Sequence, residues 1–92
     1  MFNKLETMAD RYRELSEAIA QPEIIQDYPR YQAMLKERSS LEPLVQKYET
    51  YLQVEQHIAD AQELTADPDL ADEAQTELSV LTEKRRVLTE VL

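Results

Sequence analysis

Hydrophobic residues between about Pro29 and Leu64 recur at steps of three, four and seven positions, with charged and amide side chains between them. This spacing is typical of an amphipathic helix and predicts one of roughly 36 residues, about 54 Å long. Its apolar stripe comprises Met34, Leu41, Leu44, Val45, Tyr48, Tyr51, Leu52 and Ile58. A lone helix cannot keep such a stripe in water, so other segments of the chain must cover it.

A shorter helix is predicted over about residues 2–20, and Pro22 ends it because proline lacks an N–H donor. Its seam residues, spaced by three or four positions, are Phe2, Leu5, Met8, Tyr12, Leu15 and Ile19. A single turn after Pro22 would let Ile24 and Ile25 cover the end of the bundle. Asp27 is expected to be the N-cap of the long helix.

Pro43 lies inside the long helix, where it removes a hydrogen bond to the carbonyl of Ser39 and costs about 3 kcal/mol. The helix either bends near Ser39 and Ser40 or breaks so that Ser40 caps a new helix. We favour a bend because the apolar stripe continues in phase from Leu41.

A third helix is predicted over about residues 68–92, with Asp67 as N-cap and Pro68 at the first position. Its apolar face comprises Leu70, Ala74, Leu78, Leu81, Leu88 and Val91. The final residues are still apolar and carry no helix stop signal. We therefore expect the chain to be an N-terminal fragment of a longer protein. The sequence leaves open whether this fragment self-associates through uncovered seam residues near Val91 and Leu92.

These helices predict an all-α fold in a single domain of residues 1–92. Helices at about 2–20 and 68–92 would pack against successive halves of the one at 29–64, since short connections make neighbouring helices antiparallel. The expected architecture is an elongated, antiparallel, coiled-coil-like three-helix bundle with one long central helix. The chain has no Gly, which disfavours tight hairpins and Gly-rich phosphate loops.

Nineteen acidic and ten basic residues give the chain a formal net charge of −9 at pH 7. That sign repels nucleic acid and anionic membranes, so the expected partner is a protein surface. The chain has no Cys, which excludes disulfides and thiolate metal sites and suits the cytoplasm. It also has no signal-peptide pattern and no apolar run of transmembrane length.

Two patterns could be interpreted as metal sites, and both have simpler explanations. His57 is the only His, and its polar neighbours lie on a wet helix face, so a solvated His is the favoured interpretation. Asp67, Asp69 and Asp72 imitate a calcium loop, but the loop glycine is missing. A helix cap explains these three aspartates better.

The remaining candidates do not predict a catalytic site either. Ser39 and Ser40 have no adjacent base. The cluster Lys84–Arg86 could bind phosphate, but a solvated helix end that complements the helix dipole is favoured. The five tyrosines are expected at the rim of the core, with their hydroxyls in water: Tyr12, Tyr28, Tyr31, Tyr48 and Tyr51. We predict no catalytic, cofactor-binding or metal-binding residue.

The residues taken together resemble the N-terminal domain of the bacterial peptide chain release factor 1 family. The segments that carry the resemblance are residues 1–6, 11–15, 21–27, 48–64 and, most specifically, Asp67-Pro68-Asp69-Leu70-Ala71-Asp72-Glu73-Ala74-Gln75-Thr76-Glu77-Leu78. Residues 36–42 are also similar to the sister family, release factor 2, so both assignments stay open and the first is favoured.

The resemblance implies a parent protein that recognises the stop codons UAA and UAG on the ribosome and promotes peptidyl-tRNA hydrolysis. It also implies that this chain is the domain directed toward the stalk base of the large subunit. The family's Gly-Gly-Gln loop and its Pro-x-Thr tripeptide are both absent from this sequence. We therefore expect a non-enzymatic docking domain; the alternative is a free-standing helical adaptor or chaperone-like bundle.

Overall fold

The computed structural model describes residues 2–92, which form four α-helices and no β-strand. The helices are α1 (Asn3–Ala18), α2 (Pro22–Gln26), α3 (Tyr28–Leu64) and α4 (Ala71–Val91). The predicted all-α class with one long central helix is confirmed. None of the helices within residues 2–92 combines the length and the apolarity needed to cross a bilayer.

The chain divides into two compact units, Met1–Gln46 (unit 1) and Lys47–Leu92 (unit 2). Unit 1 contains α1, α2 and the first part of α3, and unit 2 contains the rest of α3 and α4. In unit 2 the connection between the two helices is short and their apolar faces share one core, so α4 returns antiparallel to α3.

The buried apolar side chains among the described residues of unit 1 include Leu5, Leu15, Ile24 and Val45. Pro22 occupies the first turn of α2, as predicted. The prediction that both isoleucines of α2 are covered is wrong for Ile25, which is exposed, whereas Ile24 is buried. The reason is that neighbouring residues of a helix point about 100° apart, so one short turn can bury only one of them.

Asp27 caps α3 as predicted. Its Oδ1 accepts a hydrogen bond from the N–H of Arg30 at 3.4 Å, and its carbonyl accepts one from Tyr31 at 2.9 Å. These bonds satisfy N–H groups that the first helical turn otherwise leaves without partners. Further along, α3 is continuous through Pro43, so the alternative of a break at Ser40 is excluded.

Unit 2 is organised around one cluster of buried side chains. The cluster consists of Val54, Ile58, Ala61 and Leu81, with Leu78 and Leu88 packed against it. Val54 is only 2% exposed, although the sequence pattern placed Leu52 in the stripe instead. Leu52 is 47% exposed because two residues separate side chains by about 200° around a helix.

The start of α4 differs from the prediction. The helix begins at Ala71, and its N-cap is Leu70, which makes no side-chain capping bond. Asp67 instead closes its own turn, since its Oδ1 accepts the N–H of Asp69 at 2.9 Å and its carbonyl accepts that of Leu70 at 3.0 Å. An Asp-Pro pair stabilises a turn as readily as a helix start, and here the turn forms.

Candidate functional site

His57 is exposed on α3, and its acidic neighbours are engaged elsewhere. Glu55 accepts a hydrogen bond from Arg85 of α4 at 2.9 Å, and Asp60 accepts one from Gln56 at 3.0 Å. Within residues 2–92, the structure brings no three His, Cys, Asp or Glu side chains together in a way that could hold a metal ion.

The two arginines of the basic cluster of α4 bind carboxylates in different places. Arg85 turns toward α3 and pairs with Glu55. Arg86 lies between Glu83, at 2.7 Å, and Glu90, at 2.5 Å. Two of the three cations are therefore neutralised by carboxylates, and the cluster does not form a phosphate-binding patch.

The predicted role of this cluster at the helix end is wrong, because the last turn of α4 contains no basic residue. The Arg86 guanidinium instead forms a side-chain network on the helix surface. Its hydrogen bonds hold the pKa of Glu83 below the ordinary value, and the bonds and charges of Glu83 and Glu90 raise the pKa of Arg86. Such i,i+3 and i,i+4 pairs support the helix itself.

In unit 1, polar contacts link α1 to α3. Arg11 donates to both carboxylate oxygens of Glu37, from Nε at 2.6 Å and from Nη2 at 2.9 Å. Arg38 donates from Nε to the Ser16 hydroxyl at 2.8 Å, and its guanidinium lies 4.6 Å from the centre of the Tyr12 ring. The two arginines thus fix the register of α1 on α3.

Ser40 makes a hydrogen bond within its own helix. It donates its hydroxyl hydrogen to the carbonyl of Glu37 at 2.7 Å.

The five tyrosines do not share one position at the rim of the core. Tyr48 is buried and Tyr28 is exposed, so the prediction is wrong for both. The tyrosines at 12, 31 and 51 are half-buried, as that prediction requires.

The Arg11–Glu37 pair has a testable dependence on pH. The hydrogen bonds from Arg11 hold the pKa of Glu37 below its ordinary value. The unfolded state therefore binds more protons in acid, and the stabilisation is lost as the pH falls through the folded-state pKa. We expect Glu37→Gln to lower the urea midpoint at pH 7 in low salt, and the difference from the unmodified chain to shrink progressively as the pH falls below about 4.

Urea unfolding followed by far-ultraviolet circular dichroism measures this difference, and Glu17→Gln on the exposed part of α1 is the matched control. A deficit of Glu37→Gln that is as large at about pH 2.5 as at pH 7 would contradict the assignment, because protonation of Glu37 weakens its pair with Arg11.

Exposed apolar side chains remain on the surface of both units. They include Ile25, Tyr28, Leu52, Leu64, Leu70, Val80, Val87 and Val91. Three of these are valines of α4, and they lie on a face of the helix different from the one that carries Leu81. Exposed apolar groups that share one face indicate an interaction surface more strongly than scattered ones.

The described residues thus form two helical units, each of which carries exposed apolar side chains. The family model of the PCRF domain matches residues 8–92, so the chain belongs to the PCRF domain family. No solved structure matches the chain.

Similar proteins include peptide chain release factor 1 of three bacteria. The chain is 41% identical to that of Alkaliphilus oremlandii, with 96% of the chain and 26% of the relative covered. It is 42% identical to that of Levilactobacillus brevis, and the match covers 98% of the chain and 26% of the relative. It is 41% identical to that of Limosilactobacillus reuteri, and the match covers 100% of the chain and 26% of the relative. The chain therefore spans about a quarter of the length of these relatives.

Proposed function

We propose that this chain is the ribosome-docking domain of a translation termination factor. The observation that carries the proposal is the PCRF domain match over residues 8–92, together with about 40% identity to release factor 1 over nearly the whole chain. The same matches do not favour a free-standing adaptor. We further propose that the chain is a single docking domain within a longer protein. This is supported by the matches, which cover about a quarter of the length of each relative.

The catalytic and decoding steps belong to other parts of the proposed parent protein. That protein would recognise UAA and UAG and promote hydrolysis of peptidyl-tRNA. This chain contains no Gly and no Pro followed two residues later by Thr, so it has neither the Gly-Gly-Gln loop nor the Pro-x-Thr tripeptide of the family. The domain itself is therefore proposed to be non-enzymatic.

The proposed partner is protein at the stalk base of the large ribosomal subunit, in the cytoplasm. A chain with a net charge of −9 is repelled by ribosomal RNA, so contact with a basic ribosomal protein is favoured. Self-association is a weaker proposal, because two copies of like charge repel each other at low ionic strength.

A peptide-release assay on ribosomes stalled at UAA tests the proposal. We expect the chain alone to release no peptide, and an excess of it to slow release by a full-length release factor 1, because both would occupy the same docking site. Undiminished release at saturating excess would contradict the docking role, and release by the chain alone would contradict the non-enzymatic role. The variant Leu15→Ala, whose folding is expected to be impaired, is the control. It should slow release less than the unmodified chain if competition requires the folded structure.

A further inference from the structure

Three valines of α4, Val80, Val87 and Val91, form an exposed apolar row that we term the valine stripe. Their exposed fractions are 64%, 47% and 51%. They are separated by seven and four positions, so in a helix of 3.6 residues per turn they fall within an arc of about 40°. The row spans three turns, or about 16 Å along the helix axis.

Neither the core nor helix formation accounts for the valine stripe. Leu81, the buried residue of α4 in the unit 2 cluster, projects about 100° away from Val80. Valine also has a lower helix propensity than alanine or glutamate, since its branched side chain loses rotamer freedom. Three exposed valines on one face are therefore unfavourable for the isolated domain unless something covers them.

The charges beside the valine stripe indicate what covers it. Glu77 lies about 60° to one side of Val80, and Glu73 continues the row toward the start of the helix. Glu83, about 60° to the other side, is already paired with Arg86. Lys84 is the one cation close to the row. Glu73, Glu77 and the net charge of −9 favour a basic occupant, and they disfavour both nucleic acid and a second copy of the chain.

We propose that the valine stripe binds a basic protein surface that carries an apolar ridge. The proposal rests on the proposed function for the identity of the occupant, which would then be a ribosomal protein. In this binding mode, α4 lies against a complementary apolar surface of the partner. The valines, which are two turns and one turn apart along the helix, are the anchoring side chains. The apolar row supplies the contact, and the carboxylates on its flanks speed association and select a cationic partner.

The test uses the whole chain, labelled at its α-amino group, and purified large ribosomal subunits in a fluorescence anisotropy titration. Val80→Thr combined with Val87→Thr keeps the shape, the branching and the charge of both side chains while removing their apolar character. We expect this double variant to bind at least tenfold more weakly. Leu52→Thr, which changes an exposed apolar residue on α3, is the matched control and is expected to bind like the unmodified chain.

Two failures are distinguishable in this titration. If the unmodified chain does not bind the large subunit, the proposed function fails. If it binds and the double threonine variant binds equally well, only the role of the valine stripe is overturned. Circular dichroism of each variant verifies that it is folded, because threonine at these exposed positions is expected to leave the helix content unchanged.

The nature of the occupant is tested by photo-crosslinking from benzophenylalanine placed at Lys84. A crosslink to a basic ribosomal protein supports the proposal, and a crosslink to ribosomal RNA overturns it.

Sedimentation of the chain alone tests whether a second copy of the chain is the occupant. A dimer that the double threonine variant dissociates would also overturn the proposal. Finally, Glu73→Gln combined with Glu77→Gln should slow association and reduce its salt dependence; unchanged kinetics would contradict the electrostatic part.

Discussion

Replacing Leu15 by Ala is expected to lower the free energy of unfolding of unit 1 by about 3 kcal/mol. Leu15 is 1% exposed and is among the most completely buried large side chains of the described chain. Removing three carbon atoms from such a site forfeits their transfer free energy and leaves a cavity that the surrounding helices fill only in part. The other buried residues of unit 1, Leu5, Ile24 and Val45, are too few to absorb this loss.

Urea unfolding monitored by the circular dichroism signal at 222 nm measures the effect. Ile25→Ala is the matched control, because it also truncates an aliphatic side chain of unit 1, at a position that is exposed. It is expected to cost less than about 1 kcal/mol. Equal losses for the two variants would contradict the assignment of Leu15 to the core.

Replacing Val54 by Asp is expected to have a still larger effect, about 4 kcal/mol at pH 7. Val54 is 2% exposed and lies in a cluster of apolar side chains with Ile58, Ala61 and Leu81. The loss combines reduced apolar packing with the desolvation of a charge.

The pH dependence of this variant distinguishes charge burial from simple loss of packing. Burial raises the pKa of the introduced carboxyl, so the folded state binds a proton that the unfolded state releases. The free energy of unfolding of the variant should therefore recover partly as the pH falls from 7 toward 4. Val80→Asp, at a position 64% exposed, is the control and should cost about 0.5 kcal/mol or less with no such recovery. A deficit at Val54 that does not change with pH would contradict the mechanism.

Arg11, Arg85 and Arg86 each bind a carboxylate of the same unit. From the sequence, the first of these is an unremarkable surface residue, and the other two belong to a basic run. Only knowledge of which helix lies opposite could show that Arg85 meets Glu55, thirty positions away.

The valine stripe was likewise hidden in the sequence pattern. Val91 was assigned to the core face of the third helix, and Val80 and Val87 were not assigned to any face. A signal was present, since the three valines share a helical face that Leu81 does not, but the sequence offers two apolar faces on this helix. The pattern correctly assigns Leu81 to the buried face, but it does not show that Val91 lies on the exposed one.

The sequence by itself determined the all-α class, the long central helix, the end of α1 before Pro22 and the cap at Asp27, because these follow from local backbone preferences and a strong helical period. The resemblance to release factors could also be detected from local residue order. Tertiary structure decided which apolar residues are buried: Val54 rather than Leu52, Ile24 rather than Ile25, and, on α4, that Val91 stays exposed. The physical reason is that burial depends on the rotation of each helix about its axis, and that rotation is set by packing against a partner helix rather than by the helix's own sequence.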